Sequence, residues 1–213
     1  MELDPRLYLV TERSHLEGRS FLDVVELALQ GGVTMVQLRE KDASGREFLE
    51  LALALRTLTQ KYHVPLWIND RIDIALAVRA DGVHLGQSDI PADAARRIIP
   101  REMLLGISAG TVEQAVAAEA AGADLLGSGA VFPTATKVDA DAVAESTLAE
   151  ICAAVHIPVV AIGGVTLQNL HIPMAAGVAG VAVVSAIMNP PDTLAAAKAL
   201  RDEVDRCLRK RND

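Results

Sequence analysis

The apolar residues of this chain fall into eight short runs, most of them separated by a segment in which apolar residues recur at helical spacing. Such alternation is typical of parallel strands joined by crossover helices. Eight strand–helix units fit a small α/β barrel of the (β/α)8, or TIM, type, and we expect one such domain over residues 1–213. The runs occupy residues 7–11, 35–40, 65–70, 82–86, 104–108, 125–132, 158–165 and 180–187.

Two of the helical segments begin with a capping signal. Ser44 and Glu47 have the spacing of a capping box ahead of an apolar face. Thr111 begins a second helix, which Gly122 is expected to end. An open, doubly wound sheet is the alternative architecture, but no GxGxxG motif follows the first strand. The pattern therefore favours the closed barrel.

Composition and charge narrow the range of partners. Hydrophobic residues make up 51% of the chain and aromatic residues 3%, which predicts a large core of Ala, Val, Leu and Ile. The formal net charge of −8 disfavours nucleic acid as a partner. No run reaches the ~18 apolar residues of a membrane span, and the N-terminal sequence lacks the basic segment of a signal peptide. We therefore expect a cytoplasmic protein without a membrane partner, and a homo-oligomer is compatible with the sequence.

The second strand ends in the charged sequence QLREK. Because strand side chains alternate, Gln37, Arg39 and Lys41 share one face. Val36 and Leu38 share the other face, which suits the layer between a barrel and its helices. The charged face then points toward the barrel axis and its carboxyl-end mouth, where active sites of this fold lie.

Two cations at the mouth of a barrel require an anionic ligand, because an unpaired buried charge is costly. Arg39 and Lys41 therefore predict an anion site. The alternative is that they pair with Glu40 or Asp42 at a solvated rim.

Acidic and amide side chains follow the third and fourth strands. Asn69 and Asp70 end one, and Ser88 and Asp89 follow the next. Each pair could instead cap the following helix. However, both carboxylates lie just beyond adjacent strands, and one or two carboxylates completed by phosphate oxygens are the usual ligands of Mg²⁺. His84, inside the fourth strand, is interpreted as a buried core histidine rather than a ligand.

Hydroxyl groups and a further cation follow the fifth and sixth strands. The Ser108 hydroxyl is expected to be free at the mouth, since Thr111 already caps the next helix. The loop over 132–141 is long, and long barrel loops are often functional, although a solvated loop would tolerate the same composition. Its polar residues include Thr134, Thr136 and Lys137.

Small residues follow the last two strands. Gly163 and Gly164 end the seventh, and Val184 and Ser185 end the eighth. Backbone N–H groups after these strands form the phosphate site common in this fold. The alternative is a tight turn that needs glycine for a positive φ. With the cations and carboxylates, these residues predict two phosphorylated ligands, one of them metal-bound, and group transfer with phosphate or diphosphate as the leaving group.

The segments that carry these residues resemble the thiamine-phosphate synthase family. They occur in the family's order and span nearly the whole chain. The resemblance implies the (β/α)8 fold and a Mg²⁺-dependent transferase of thiamine biosynthesis. The segments are QLREK (37–41), ND (69–70), DGVHLGQSD (81–89), GISAGT (106–111), FPTATKVDA (132–140), AIGG (161–164) and VVSAI (183–187).

The resemblance also implies a reaction and roles for residues. The family condenses 4-amino-2-methyl-5-hydroxymethylpyrimidine diphosphate with 4-methyl-5-(2-hydroxyethyl)thiazole phosphate, and it releases thiamine phosphate and diphosphate. Asp70 and Asp89 would hold Mg²⁺. The residues expected to contact the pyrimidine diphosphate are Gln37, Leu38, Arg39, Glu40, Lys41, Asn69, Ser108 and Lys137. Those expected to contact the thiazole phosphate are Thr134, Ala135, Thr136, Gly164, Val184 and Ser185. The expected catalytic residues are Arg39, Lys41, Lys137 and Ser108.

One position departs from the family pattern. Many members carry histidine where this chain has Gly110, and the related thiazole tautomerases rely on a histidine in that stretch. The glycine therefore counts against a thiazole tautomerase-like isomerase. Two further functions are compatible with the sequence: a lyase that uses Lys41 or Lys137, and a non-catalytic phosphate-ligand-binding barrel.

Overall fold

The computed structural model describes residues 3–14, 16–134 and 142–212. Within these ranges, eight short parallel strands close into a barrel in the order in which they occur along the chain. This arrangement confirms the (β/α)8 prediction, and the open-sheet alternative is wrong. The strands are β1 (Leu7–Val10), β2 (Met35–Leu38), β3 (Leu66–Asn69), β4 (Gly82–Leu85), β5 (Leu104–Ser108), β6 (Leu125–Ser128), β7 (Val159–Ile162) and β8 (Gly180–Val183).

Helices alternate with these strands around the outside of the barrel. In the part of the chain that the structure describes, no helix is both long and apolar enough to cross a membrane. The helices are α1 (Phe21–Gln30), α2 (Gly45–Lys61), α3 (Ile72–Ala77), α4 (Ala92–Ile98), α5 (Val112–Ala120), α6 (Glu145–Ala154), α7 (His171–Ala175), α8 (Ser185–Met188) and α9 (Thr193–Asn212).

Both predicted N-caps are confirmed, but the described hydrogen bonds lack the second half of the capping box, since the Glu47 carboxylate accepts from Arg13 instead. The Ser44 hydroxyl accepts a hydrogen bond from the Glu47 backbone N–H over 3.2 Å at the start of α2. Thr111 caps α5 in the same way. Gly122 follows the capping residue of α5 with a φ of +90°, the left-handed conformation in which glycine commonly ends helices.

Strand side chains alternate between two apolar layers. Val36 and Leu38 are fully buried in the layer between strands and helices, together with Phe48 of α2. Burial of one such leucine contributes about 1.5–3 kcal/mol, and a register slip of one residue would exchange the two faces of β2. The outer layer therefore fixes which residues of β2 point inward.

The barrel interior contains aromatic rings as well as the aliphatic residues that composition predicts. Tyr8 and the single Trp67 lie there with ring centroids 6.0 Å apart. Glycines on the next strands make room for the rings. A Cβ atom on Gly82 would lie 2.5 Å from the Trp67 ring, and one on Gly106 would lie 2.5 Å from Nδ1 of His84.

Candidate active site

A cavity of about 130 Å³ opens at the carboxyl ends of the barrel strands. Active sites of (β/α)8 barrels are built at this end. The cavity wall combines apolar side chains, glycine backbone and polar groups. The polar side chains that line it are Tyr8, Gln37, Arg39, Asn69, His84, Ser108, Thr134 and Ser185.

Gln37 and Tyr8 form a hydrogen-bonded pair on the cavity wall. The Gln37 Nε2 group donates to the Tyr8 hydroxyl over 2.7 Å. Burial raises the pKa of the Tyr8 phenol well above its ordinary value, and the hydrogen bond from Gln37 opposes this only in part. The phenol is therefore neutral at physiological pH. A neutral pair with donors and acceptors suits a polar, uncharged ring better than it suits an ion.

The three charged residues at the end of β2 point in different directions. Arg39 lines the cavity. The Glu40 carboxylate, only 9% exposed, accepts two hydrogen bonds from Arg13, from Nε at 2.8 Å and from Nη2 at 2.9 Å. Neither Arg39 nor Lys41 forms an ion pair with Glu40 or Asp42 among the described residues. The pairing proposed in the solvated-rim alternative is therefore wrong, because Glu40 is bound by an arginine of another loop, although Lys41 itself is exposed.

Asp70 and Asp89 are neighbours just beyond the carboxyl ends of β3 and β4. Their strands, β3 and β4, are hydrogen-bonded neighbours. Burial by surrounding protein atoms and the adjacent Asp89 carboxylate raise the pKa of Asp70 to about 6, whereas the charges of Lys41 and Arg39 act to lower it. Asp70 also retains solvent-exposed surface, so water weakens each of these effects. Two carboxylates and two cations thus lie within electrostatic range of one another.

The two aspartates do not cap helices. α3 begins after Arg71 and α4 after Pro91, and neither has a side-chain cap. Asp70 has a φ of +61°, and the Arg71 N–H donates to the Asn69 carbonyl over 2.7 Å across it. This tight turn redirects the chain immediately after β3. The capping alternative for these residues is therefore wrong.

Asp89 is fixed within its own loop. Its Oδ2 atom accepts a hydrogen bond from the Gly86 N–H over 2.6 Å. The described residues contain no cluster of three or more His, Cys, Asp and Glu side chains that could hold a metal ion. A cation bound between Asp70 and Asp89 would therefore need further ligands from a bound anion or water.

Ser108 and His84 face each other inside the mouth. His84 Nε2 lies 3.1 Å from the Ser108 hydroxyl, within hydrogen-bonding distance. The expectation of a free Ser108 hydroxyl is therefore wrong. His84 is buried, as predicted, but it also lines the cavity.

Gly163 and Gly164 lie where the prediction places a phosphate site. Both line the cavity, with φ values of +97° and +64°. A Cβ atom on Gly164 would lie 2.6 Å from the Pro133 carbonyl oxygen. Backbone conformation and close packing are sufficient reasons for glycine at both positions. The presence of glycine therefore does not show whether this segment is only a tight turn or also binds an anion.

Comparison with known proteins identifies the family. A family model described as thiamine monophosphate synthase matches residues 7–187. A thiamine-phosphate synthase of Ruminiclostridium cellulolyticum is 51% identical over 199 residues, which cover 93% of this chain and 95% of that protein. The chain belongs to the thiamine-phosphate synthase family. A relative of the same name from Methanobrevibacter smithii is also 51% identical, over 94% of this chain and 96% of that one.

A solved structure of this family has the same fold. The thiamine phosphate pyrophosphorylase of Pyrococcus furiosus is 41% identical and superposes with a TM-score of 0.89. The match covers 96% of this chain and 98% of that chain.

The structure brings together many, but not all, of the residues that the family resemblance assigns to the site. Leu38 is fully buried in the outer layer, so its side chain does not reach the cavity. Glu40 is bound by Arg13, and Lys41 is exposed at the rim. Ala135, Thr136 and Lys137 lie outside the described residues. The predicted residues that line the cavity are Gln37, Arg39, Asn69, Ser108, Thr134, Gly164, Val184 and Ser185.

Tyr8 is a cavity residue that the sequence analysis missed. It occupies an inward position of β1, with Val10 two residues later on the same face. Strand alternation could have placed it, but an apolar run with a single tyrosine gives no sign of a site.

Steric crowding does not explain the glycine at position 110, where the family resemblance leads us to expect histidine. A Cβ atom on Gly110 would be 3.7 Å from its nearest neighbours, Gln114 and Val143, which is an ordinary contact distance. A larger side chain could therefore begin here without a clash at its Cβ atom.

Proposed function

We propose that this protein joins the pyrimidine diphosphate and thiazole phosphate named above to form thiamine phosphate, with release of diphosphate. The observation that carries the proposal is the inward-facing Arg39 beside the acidic pair Asp70 and Asp89 at the mouth of a polar cavity. This arrangement matches a polyanion that arrives with a divalent cation. The family to which the chain belongs supports the same reaction.

The acidic pair fits Mg²⁺ in its chemistry. Carboxylate and phosphate oxygens are the hard ligands that Mg²⁺ prefers. The raised pKa of Asp70 reflects burial and a neighbouring negative charge, and a bound cation would relieve both effects. Bound there, Mg²⁺ would supply Lewis-acid stabilisation of the diphosphate oxygens.

The cations of the chain would stabilise the departing diphosphate. Arg39 presents a planar guanidinium that can bind two phosphate oxygens at once. Lys41, at the rim, and Lys137, outside the described residues, would add point charges as negative charge develops on the leaving group. Ser108, oriented by its contact with His84, would donate a hydrogen bond to the same anion.

The organic substrates explain why no activating base is needed. Diphosphate departs from a benzylic-type carbon, and the aminopyrimidine can stabilise the resulting cation. The neutral pair of Gln37 and Tyr8 provides hydrogen bonds for such a ring without adding charge. The thiazole nitrogen already carries a lone pair, so a Ser–His or Cys–His nucleophile is not required.

The thiazole phosphate would bind on the other side of the cavity. Gly164 and the turn at Val184 and Ser185 line that side. Thr134 also lines the cavity, and we assign Ala135 and Thr136 to the same subsite from the family resemblance. The cytoplasmic location, the oligomeric state and the single-domain organisation stay predictions from the sequence.

The experiment is a turnover assay with matched variants. Purified protein with both substrates and Mg²⁺ should produce thiamine phosphate and diphosphate, and omission of either substrate should stop diphosphate release. Arg39→Gln should lower kcat/KM for the pyrimidine diphosphate by at least ~100-fold, a typical loss for a charge-stabilising donor. Arg46→Gln, at an exposed position of α2, should not.

Other results would identify other functions. Binding of both phosphates without turnover would indicate a binding barrel. A substrate adduct on Lys41 or Lys137 after borohydride treatment would indicate a lyase. Either result would contradict the transferase proposal.

A further inference from the structure

Arg19 connects the first βα loop to the segment that follows β8. It lies in the loop between β1 and α1, and all five N–H groups of its guanidinium have an acceptor. Nε donates to Leu16 O (3.1 Å), Nη2 to Met188 O (2.6 Å) and Asn189 O (3.1 Å), and Nη1 to Pro190 O (2.7 Å) and Thr193 Oγ1 (3.0 Å).

Two of the residues that accept hydrogen bonds from Arg19 are themselves hydrogen-bonded to Val184 and Ser185, the turn proposed to bind the thiazole phosphate. The Met188 N–H donates to the Val184 carbonyl over 2.9 Å. The Asn189 N–H donates to the Ser185 carbonyl over 3.1 Å. Met188 and Asn189 therefore link Arg19 to the turn: their carbonyls accept from Arg19, and their N–H groups donate to the turn.

The surroundings of Arg19 fix its position. Its own N–H donates to the Leu16 carbonyl over 2.9 Å, across a turn in which Glu17 and Gly18 have φ values of +52° and +83°. The acceptor Thr193 is fully buried. The turn and the buried acceptor limit the directions in which the guanidinium can point.

All acceptors of Arg19 are neutral. In the described ranges, Arg19 forms no ion pair with a carboxylate. Without a carboxylate partner, a surface arginine stabilises its surroundings little through its charge. Arg19 therefore acts through the planar, forked arrangement of its N–H donors.

We propose that Arg19 is a positioning residue that holds the turn at Val184 and Ser185 in place for the phosphate of the thiazole substrate. This inference rests on the proposed function, which assigns that phosphate to the turn. Loss of the fork would let the segment after β8 shift. A small displacement of a binding group weakens both affinity and alignment.

The test compares variants of two arginines with similar bonding. Arg96 also donates to two backbone carbonyls, of Pro100 (2.8 Å) and Met103 (2.7 Å), and to Asp124, but at the amino ends of the strands. Arg19→Gln should raise KM for thiazole phosphate about tenfold, equal to ~1.4 kcal/mol, with KM for the pyrimidine diphosphate within about twofold. Arg96→Gln should lower the melting temperature without changing either KM.

Arg19→Lys separates geometry from charge. It keeps the charge but loses the planar fork, so it should behave more like Arg19→Gln than like the wild type. It also serves as the folded variant if circular dichroism shows that Arg19→Gln does not fold. Wild-type KM for thiazole phosphate in Arg19→Lys would overturn the geometric argument.

The outcomes separate this inference from the proposed function. Absence of thiamine phosphate with the wild type would contradict the proposed function, and calorimetric titration with thiazole phosphate then tests Arg19 directly. Weaker binding to Arg19→Gln than to the wild type supports the inference. Equal affinities, no binding to either, or equal increases of both KM values overturn it.

Discussion

The carboxylate of Asp70, directly after β3, is the electrostatic neighbour of the Asp89 carboxylate in the loop after β4, and these two strands are hydrogen-bonded to each other. Burial and the Asp89 charge raise the pKa of Asp70 to about 6. The folded protein therefore binds this proton more tightly than the unfolded chain, in which an aspartate has a pKa of about 4. The resulting stability is fully present below pH ~4 and is lost as the pH rises through about 6.

Asp70→Asn should stabilise the metal-free protein at pH 8 and have little effect at pH 4. Asparagine tolerates the positive φ of this position, whereas alanine would add strain. Because Asp70 is partly exposed, we expect a gain of about 1 kcal/mol at most. Thermal unfolding in the presence of a chelator measures it.

Asp73→Asn is the control for this titration. The Arg71 guanidinium holds the pKa of Asp73 below its ordinary value. Replacement of Asp73 should therefore destabilise the protein at pH 8, an effect opposite in sign to that of Asp70→Asn. If Asp70→Asn raised the free energy of unfolding equally at pH 4 and pH 8, the raised pKa of Asp70 would not explain the stabilisation.

Asp89→Asn should raise the Mg²⁺ concentration needed for half-maximal turnover. The amide oxygen can still accept from the Gly86 N–H, so the loop should keep its shape while the site loses one negative charge. We expect a change of about tenfold, or ~1.4 kcal/mol. Asp93→Asn, which removes an exposed carboxylate paired with Arg97, is the control. An unaltered Mg²⁺ titration for Asp89→Asn would count against metal ligation.

Lys137→Ala should slow the chemical step and leave thiazole phosphate binding measurable. Removal of one group that stabilises charge in a transition state typically lowers the rate by ~10²–10³. Single-turnover quench measurements report this step. Lys198→Ala, at a lysine paired with Asp202 on α9, should have the wild-type rate. Equal rates for the two variants would refute the role of Lys137.

Gly82→Ala should destabilise the barrel because the new methyl group would lie 2.5 Å from the Trp67 ring. Overpacking of this kind costs about 1–3 kcal/mol. Denaturant unfolding of Gly82→Ala, Trp67→Leu and the double variant should show a loss smaller than the sum of the single losses. Gly45→Ala, at a helix start with its nearest atom at 3.5 Å, is the control. Additive losses would show that the ring is not the obstacle.

Local patterns predicted the architecture and the direction of β2. Period-two alternation with one apolar face suffices to turn Gln37 and Arg39 inward, and the caps at Ser44 and Thr111 depend only on neighbouring residues. The proximity of Asp70 and Asp89 followed from the order of parallel strands.

Contacts between distant residues were not predictable in the same way. Glu40 is bound by Arg13, 27 residues away, and Ser108 contacts His84, 24 residues away. Nothing local in the sequence distinguishes these partners from other charged or polar residues. The sequence therefore predicted which strand ends form the mouth, but not how the charges around it are shared.

Closure of the barrel has a consequence for biosynthesis of the chain. β1 hydrogen-bonds to β8 as well as to β2, so the first strand lacks one neighbour until residues 180–183 have left the ribosome. A nascent chain that ends before them has neither a closed sheet nor the last of the turns around the mouth. Assembly of the complete mouth is therefore a late event that requires the eighth strand, rather than a stepwise gain as each strand is made.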